Sequence, residues 1–179
     1  MVRDTILFGD CRETLKEFDG KARTCVTSPP YYGLRDYGGE ESQIGQEQTP
    51  EEYIQNLVEV FRSVRDVLTD DGTLWVNIGD SYYNYRPGKG QALPKQTVSK
   101  TKQDLPDKCA KRGNKLEGLK EKDLIGIPWM LAFALRADGW YLRQDIIWAK
   151  PNPMPESVKD RCTKSHEYIF LLSKSRRYY

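Results

Sequence analysis

Residues 27–31, Thr-Ser-Pro-Pro-Tyr, combine backbone and side-chain groups that could hold a planar amine. Two consecutive prolines fix φ and cannot donate backbone hydrogen bonds, and the residue before a proline is pushed towards extended geometry. We therefore expect a stiff turn rich in acceptors, with the hydroxyl and carbonyl of Ser28 and the carbonyl of Pro29 beside the flat ring of Tyr31. Such a cluster suits a nucleobase with an exocyclic amine. The alternative, on these residues alone, is a loop that only ends a strand.

The elements that must position this turn follow from the hydrophobic periodicity and the turn residues. We expect strands at 5–10, 24–27, 73–78, 141–148 and 167–173, and helices at 11–18, 50–68 and 127–137. Strands that alternate with helices predict an α/β domain with a mostly parallel sheet. In such sheets ligands bind beyond the carboxyl ends of the strands. Residues 9–10, 28–31 and 77–80 follow three of those ends, so we expect them to converge at one edge.

Length and composition indicate one ordinary domain. The chain has 179 residues, 38% of them hydrophobic, and no apolar run approaches the ~20 residues of a membrane span. The start of the chain has no secretory apolar segment, and four cysteines without CxxC spacing suggest reduced thiols. We therefore expect a cytoplasmic protein. A single histidine and the cysteine spacing predict that no metal is bound.

Charge is distributed unevenly along the chain. Residues 1–85 carry 8 Lys or Arg against 16 Asp or Glu, whereas residues 86–122 carry 11 against 4. A basic block is a reasonable footprint for double-stranded DNA, and the alternative is a solvated loop with incidental lysines. The candidate DNA-binding residues are Lys89, Lys95, Lys100, Lys102, Lys108, Lys111 and Arg112.

Several blocks of the chain resemble, in the same order, those of the amino-directed DNA methyltransferases, which methylate N4 of cytosine or N6 of adenine. The blocks are residues 9–10, 28–38, 72–81, 146–153 and 166–168. The resemblance implies a Rossmann-like fold that uses S-adenosylmethionine (SAM) as the methyl donor. It implies that residues 1–179 form one catalytic-half domain, with residues 84–122 as a basic loop or insertion within it.

The resemblance also implies roles for individual residues. Catalysis would fall to Ser28, Pro29, Pro30 and Tyr31, SAM binding to Asp10, Thr27 and Ser28, and stacking on the flipped base to Tyr31 and Trp148. Acceptors around the amine would localise its lone pair as charge develops on nitrogen, and the base must leave the duplex to reach them. Trp148 could equally be a core tryptophan, and Asp10 could be only part of a turn.

The sequence also limits which atom of which base could be methylated. Methylation at C5 of cytosine needs a nucleophilic thiol, normally after a proline, and the four cysteines follow Asp10, Thr24, Lys108 and Arg161. Serine at the first motif position favours N4 of cytosine over N6 of adenine, although serine occurs in both groups. An RNA or protein methyltransferase is a further alternative, because the Pro-Pro-Tyr turn could hold an amine of those substrates in the same way.

The chain departs from the family in one respect. Members of this subgroup carry a second half with a glycine-rich block that cradles SAM, and nothing here matches it; Gly88 and Gly90 stand in the basic block instead. The sequence therefore predicts an incomplete version of the fold, either a truncated or dissected methyltransferase or one whose SAM pocket a second polypeptide or a second copy would complete. The competing hypothesis is a non-catalytic DNA-binding module on the same fold.

Overall fold

The structure, a computed structural model, describes residues 6–34, 43–83 and 116–178. Its elements are α1 (Cys11–Thr14), β1 (Ala22–Thr27), α2 (Pro50–Val67), β2 (Leu68–Ile78), α3 (Ile127–Ala137), β3 (Tyr141–Ala149) and β4 (His166–Ser173). Among these residues no helix combines the length and apolar character that crossing a membrane requires.

The four strands form one mixed sheet in the order β1-β2-β4-β3. β1 and β2 are parallel, and α2 connects them as the crossover that a parallel pair needs. β4 is antiparallel to both β2 and β3. The prediction of an α/β domain with a mostly parallel sheet is confirmed for the described strands, because β1, β2 and β3 run in the same direction. β4 alone among them is reversed, and it inserts between β2 and β3.

The long helix α2 begins where the sequence indicates. Thr49 and Glu52 form a reciprocal capping box, with Pro50 at the start of the helix, an arrangement that satisfies backbone donors of the first turn. One side of the helix buries a hydrophobic row that includes Tyr53, Leu57 and Phe61. This row belongs to the same buried cluster as Leu74, Val76 and Ile78 of β2, so the helix packs on the sheet.

The two faces of the sheet differ in their cover. Leu74, Val76 and Ile78 of β2 are fully buried in the core against α2 and α3. Because side chains alternate along a strand, Trp75 and Asn77 project from the opposite face, and both are only half-buried. We call this second side the open face of the sheet. Val26, the neighbour of Trp75 in β1, is 76% exposed there.

Three predicted boundaries differ from the structure. Residues 6–10 do not form the expected strand, and Ile6, Leu7 and Phe8 are exposed. The first helix ends at Thr14 instead of residue 18. β2 begins at Leu68, directly after α2, instead of at residue 73, so Gly72 lies inside a strand. Gly72 is required there because a Cβ would stand 2.9 Å from the Thr69 carbonyl oxygen, next to an irregularity in the β1–β2 register.

Candidate active site

The Ser-Pro-Pro-Tyr turn lies beside the end of β2. It follows β1 directly, and parallel pairing places the ends of β1 and β2 side by side. The Tyr31 hydroxyl donates to the Asn77 Oδ1 atom at 3.0 Å, and the Ser28 Oγ atom is 3.5 Å from the same oxygen. The predicted convergence of residues 28–31 with residues 77–80 is therefore confirmed.

Backbone contacts hold the turn in place. Pro29 is buried, whereas Ser28 is exposed. The buried Tyr53 of α2 donates its hydroxyl hydrogen to the Pro30 carbonyl oxygen at 2.7 Å, and the Ser81 hydroxyl donates to the Tyr32 carbonyl at 3.0 Å. The turn is thus anchored to a helix on one side and to the loop after β2 on the other.

Tyr31 is fixed at its hydroxyl and along its ring. The hydroxyl lies 3.0 Å from both Asn77 Oδ1 and Glu167 Oε2, and the ring packs so closely on Gly79 that a Cβ there would stand 2.6 Å from Cε2. Burial raises the pKa of Tyr31, and the neighbouring charge of Glu167 adds to the rise against an opposing hydrogen bond from Ser28. The hydroxyl therefore stays protonated at neutral pH.

Glu167 is the charged centre of this edge. One carboxylate oxygen pairs with the Lys150 ammonium group, and the other accepts from Tyr31. Burial alone would raise the pKa of Glu167, but hydrogen bonds from Lys150, Tyr31 and Asn77 outweigh it, so the pKa lies below its ordinary value. The carboxylate is ionised at neutral pH.

Sequence reasoning placed Asn77 at this edge without giving it a role, and it did not assign Lys150 or Glu167 to the site. Each stands at or beside the end of a strand, and the first residues of the antiparallel β4 lie at the same edge as the last residues of β2, as the pairing of Ile78 with Tyr168 shows. The sequence features that could have identified them are an acid at the start of β4 and a lysine just after β3. These features point to the site only if β4 is known to be antiparallel.

Trp148 lies on the exposed edge strand β3 and is 52% exposed, so the alternative of a core tryptophan is wrong. It stands directly opposite Glu167 in the β3–β4 ladder. Cross-strand partners project to the same face of a sheet, so the indole and the Glu167 carboxylate share the open face. Base stacking by Trp148 stays a prediction.

The predicted SAM-binding residues lie in two places. Thr27 is the last residue of β1 and pairs with Val76, next to the turn. Asp10 caps α1 and binds the Arg12 guanidinium, whose hydrogen bonds lower the pKa of the carboxyl to about 2. Since residues 6–10 are not a strand, Asp10 is not a strand-end acid, and its contact with SAM stays a prediction. Among the described residues no cluster of His, Cys, Asp or Glu could hold a metal ion.

The candidate DNA-binding residues lie outside the described part of the chain. They are Lys89, Lys95, Lys100, Lys102, Lys108, Lys111 and Arg112. The described end of the basic block contains Lys120 and Lys122, which pair with Asp123 and Asp160.

Asp80 caps helix α3, a role that its position in the sequence did not predict. Its Oδ1 atom accepts backbone hydrogen bonds from Gly126 and Ile127, both at 3.0 Å, and from Ser81 at 2.9 Å. Gly126 has no side chain to cap α3. Asp80 therefore supplies the cap of α3 from a distant part of the sequence and fixes the loop that carries Gly79.

Comparison with known proteins agrees with this geometry. The DNA methylase family model, for N6 and N4 methyltransferases, matches residues 22–179. The chain belongs to this family. The chain is 54% identical to the Type II methyltransferase M.SmaI of Serratia marcescens, over 97% of this chain and 57% of the relative. It is 53% identical to M.Cfr9I of Citrobacter freundii, over 98% of this chain and 56% of the relative. The chain thus spans little more than half the length of these relatives.

Solved structures show the same fold. PvuII DNA methyltransferase (cytosine-N4-specific) matches with a TM-score of 0.60 at 17% identity, over 95% of this chain and 49% of that protein. A DNA modification methylase from Thermus thermophilus, complexed with S-adenosyl-L-methionine, matches with a TM-score of 0.57 at 23% identity, over 96% and 55%. The predicted family and the predicted SAM-dependent methyltransferase fold are confirmed.

Proposed function

We propose that this DNA methylase is the catalytic half of a site-specific DNA methyltransferase, which transfers a methyl group from SAM to the exocyclic amine of a flipped base. The observation that carries the proposal is the clamped turn at the ends of β1 and β2, where Tyr53 holds Pro30 and two side chains hold the Tyr31 hydroxyl. A rigid acceptor cluster beside a fixed aromatic ring is what the chemistry of a conjugated amine requires.

The proposed catalytic residues are Ser28, Pro29, Pro30 and Tyr31. The amine lone pair is delocalised into the base, which makes it a poor nucleophile. Acceptance of the amine hydrogens by the Ser28 Oγ atom and the Pro29 carbonyl would localise the lone pair as a nitrogen–carbon bond forms. Tyr53 and Ser81 anchor the turn that carries these acceptors, so the acceptors would need little reorganisation in the transition state. SAM would supply the methyl group: its sulfur–methyl bond would break as the nitrogen–methyl bond forms, S-adenosylhomocysteine would leave, and the nitrogen would release its proton to solvent.

The base would be held by stacking. The Tyr31 ring is fixed at its hydroxyl end and by Gly79, and Trp148 is exposed on the same sheet edge as Glu167. Each aromatic–base stack contributes about 1–3 kcal/mol, which helps offset the cost of taking the base out of the duplex. Serine in place of an acid at position 28 favours N4 of cytosine over N6 of adenine.

The SAM pocket is proposed to include Asp10, Thr27 and Ser28 and to be completed by a second polypeptide or a second copy. The exposure of Val26 on the edge strand β1 and the half-buried Trp75 on the open face support such a contact, since an apolar sheet edge left uncovered favours association. Residues 1–179 would then be one catalytic-half domain with residues 84–122 as a basic insertion. Its lysines would bind DNA phosphates, and activity on cellular DNA implies a cytoplasmic location.

The test is transfer of labelled methyl groups from SAM to duplex DNA by the purified chain, followed by digestion to nucleosides. Label in N4-methylcytosine supports the proposal and its preferred base, and label in N6-methyladenine overturns only the base. A rate per chain that rises with chain concentration identifies a second copy as the completing partner. Ser28→Ala should abolish transfer while DNA affinity changes by no more than a few fold.

Absence of label from a folded chain that binds DNA has a distinct meaning. If the addition of the remaining half of a relative as a second polypeptide restores transfer, the catalytic-half assignment holds. If transfer is still absent, the enzyme proposal is refuted, and the chain is a DNA-binding module whose affinity falls steeply with salt.

A further inference from the structure

We propose that Glu167, with Lys150 as its counter-ion, positions the Tyr31 ring at the catalytic turn. This inference rests on the proposed function, and it adds to it the residues that set the aromatic side of the site. We call Tyr31, Asn77, Lys150 and Glu167 the Tyr31 network. Its members come from four separate parts of the chain and meet through side-chain hydrogen bonds.

The donor and the acceptor of each hydrogen bond in the Tyr31 network can be assigned. The Asn77 amide nitrogen donates to the Tyr168 carbonyl of β4 at 3.2 Å, which leaves Asn77 Oδ1 to face the turn. The Tyr31 hydroxyl has one hydrogen and two acceptors, Asn77 Oδ1 and Glu167 Oε2, both at 3.0 Å. A charged acceptor forms the stronger hydrogen bond. Glu167 is therefore the partner that decides where the hydroxyl points.

Lys150 stabilises the ionised carboxylate at this position. The Glu167 side chain is only 18% exposed, and Lys150 pairs with the oxygen that does not face Tyr31. A half-buried carboxylate without a neighbouring cation would become protonated or would need water molecules to solvate it. With the cation in place, the other oxygen stays ionised and available to the phenol. The pair is a fixed anchor that ties β3 and β4 to the turn after β1.

The ring itself has little freedom once its hydroxyl is held. Gly79 lies against the Cδ2 and Cε2 edge of the ring, so the ring rests on the backbone after β2 while its hydroxyl is held from β4. Loss of Glu167 would leave the hydroxyl with the weaker, uncharged acceptor Asn77, and the ring would shift from its position against Gly79. The turn would remain, because Tyr53 and Ser81 hold its backbone independently.

The first readout needs no methyl transfer. The chain is labelled with ¹³C at tyrosine Cζ, Tyr31 is assigned with Tyr31→Phe, and its resonance is followed as pH rises. We expect Glu167→Gln to lower the Tyr31 midpoint and shift its resonance at neutral pH, because the charge that opposes ionisation is gone. The matched control is Glu156→Gln, which removes a similarly half-buried acid paired with Arg161 at 2.7 Å. An unchanged Tyr31 resonance in Glu167→Gln would overturn the proposal.

The second readout is single-turnover methyl transfer by the preparation that methylates DNA. Glu167→Ala should lower the rate by about 10- to 100-fold, as expected for a misplaced catalytic group, with little change in the half-saturating concentrations of DNA and SAM. Glu167→Gln keeps an acceptor for the phenol, so its rate should fall less. In a Tyr31→Phe background Glu167→Ala should lower the rate by less than about threefold, because the hydrogen bond through the hydroxyl is already absent.

The outcomes separate this inference from the proposed function. Equal losses from Glu167→Ala in the wild-type and Tyr31→Phe backgrounds would mean that Glu167 acts elsewhere, and the inference would fail while the enzyme stands. If no preparation transfers methyl groups but Glu167→Gln shifts the Tyr31 resonance, the proposed function fails and the network remains as the device that orders Tyr31.

Discussion

Gly79→Ala tests whether the close packing of Tyr31 matters for the chemistry. A Cβ at this position would lie 2.6 Å from Tyr31 Cε2 and 2.9 Å from Cδ2, whereas ordinary contact begins at 3.4 Å. The ring must therefore move by about 0.8 Å, or the backbone of residue 79 must move instead. The ring cannot yield freely, because its hydroxyl is held at 3.0 Å by both Asn77 and Glu167.

The size of the ring displacement determines how much stability and methyl-transfer rate we expect Gly79→Ala to lose. Hydrogen bonds weaken steeply beyond about 3.5 Å, so a shift of this size would stretch or break both contacts of the Tyr31 hydroxyl. Overpacking of this kind costs about 1–3 kcal/mol of folding stability. A misplacement of about 1 Å in a positioned group lowers the rate by about 100-fold. We expect methyl transfer by Gly79→Ala to fall by that order, in a protein that still folds.

The assay is single-turnover methyl transfer together with urea unfolding, with Gly72→Ala as the matched control. A Cβ at Gly72 also makes a short contact, 2.9 Å to the Thr69 carbonyl oxygen, but it strains the opposite end of β2. Gly72→Ala should lower stability without a specific loss of rate below its melting range. Wild-type rate and wild-type stability in Gly79→Ala would refute the packing on which the Tyr31 network depends.

Two further predictions concern stability. Asp80→Ala removes the acceptor for two backbone donors at the start of α3 and for the backbone amide of Ser81, and it should lower the free energy of unfolding by about 1–3 kcal/mol in urea denaturation. Asp80→Asn, which keeps an acceptor, should recover most of that loss, and an equal loss in both variants would contradict the capping role. Because the pKa of Glu167 in the folded protein lies below its ordinary value of 4.5, the ionised carboxylate stabilises the fold above that value and the stabilisation disappears as pH falls through the lower folded pKa. The fall in the urea midpoint between about pH 6 and pH 3 should therefore be smaller in Glu167→Gln than in the wild type, and identical falls would mean that Glu167 has no such linkage.

Sequence reasoning located the turn because its information is local. Proline geometry at positions 29 and 30, and the capping signals at Thr49 and Pro50, act within a few residues, and the structure has them where they were expected. The parallel pairing of β1 and β2 followed from the helix between them. These features need no knowledge of the remainder of the sheet.

The errors arose where distant parts of the chain decide the structure. An apolar run at residues 6–8 satisfies a strand pattern, but it forms no strand in the described sheet, whose edge on that side is β1. Residues 69–72 were expected to lie between a helix and a strand, yet pairing of Leu68 with Ala22 extends β2 through them. Local propensity is overridden in both places by the availability of a strand partner.

The roles of Asn77 and Glu167 in orienting Tyr31 could not be predicted for the same reason. The phenol is held from β2 by Asn77 and from β4 by Glu167, so its position depends on the register between two antiparallel strands. A slip of one residue in that register would turn Glu167 to the helical face. The core residues Val76 and Phe170, which face each other across β2 and β4 and are almost fully buried, therefore contribute to the geometry of the aromatic ring as directly as to stability. The short Ser-Pro-Pro-Tyr motif supplies the reacting groups, but packing of the sheet decides whether the ring stands where a base could stack on it.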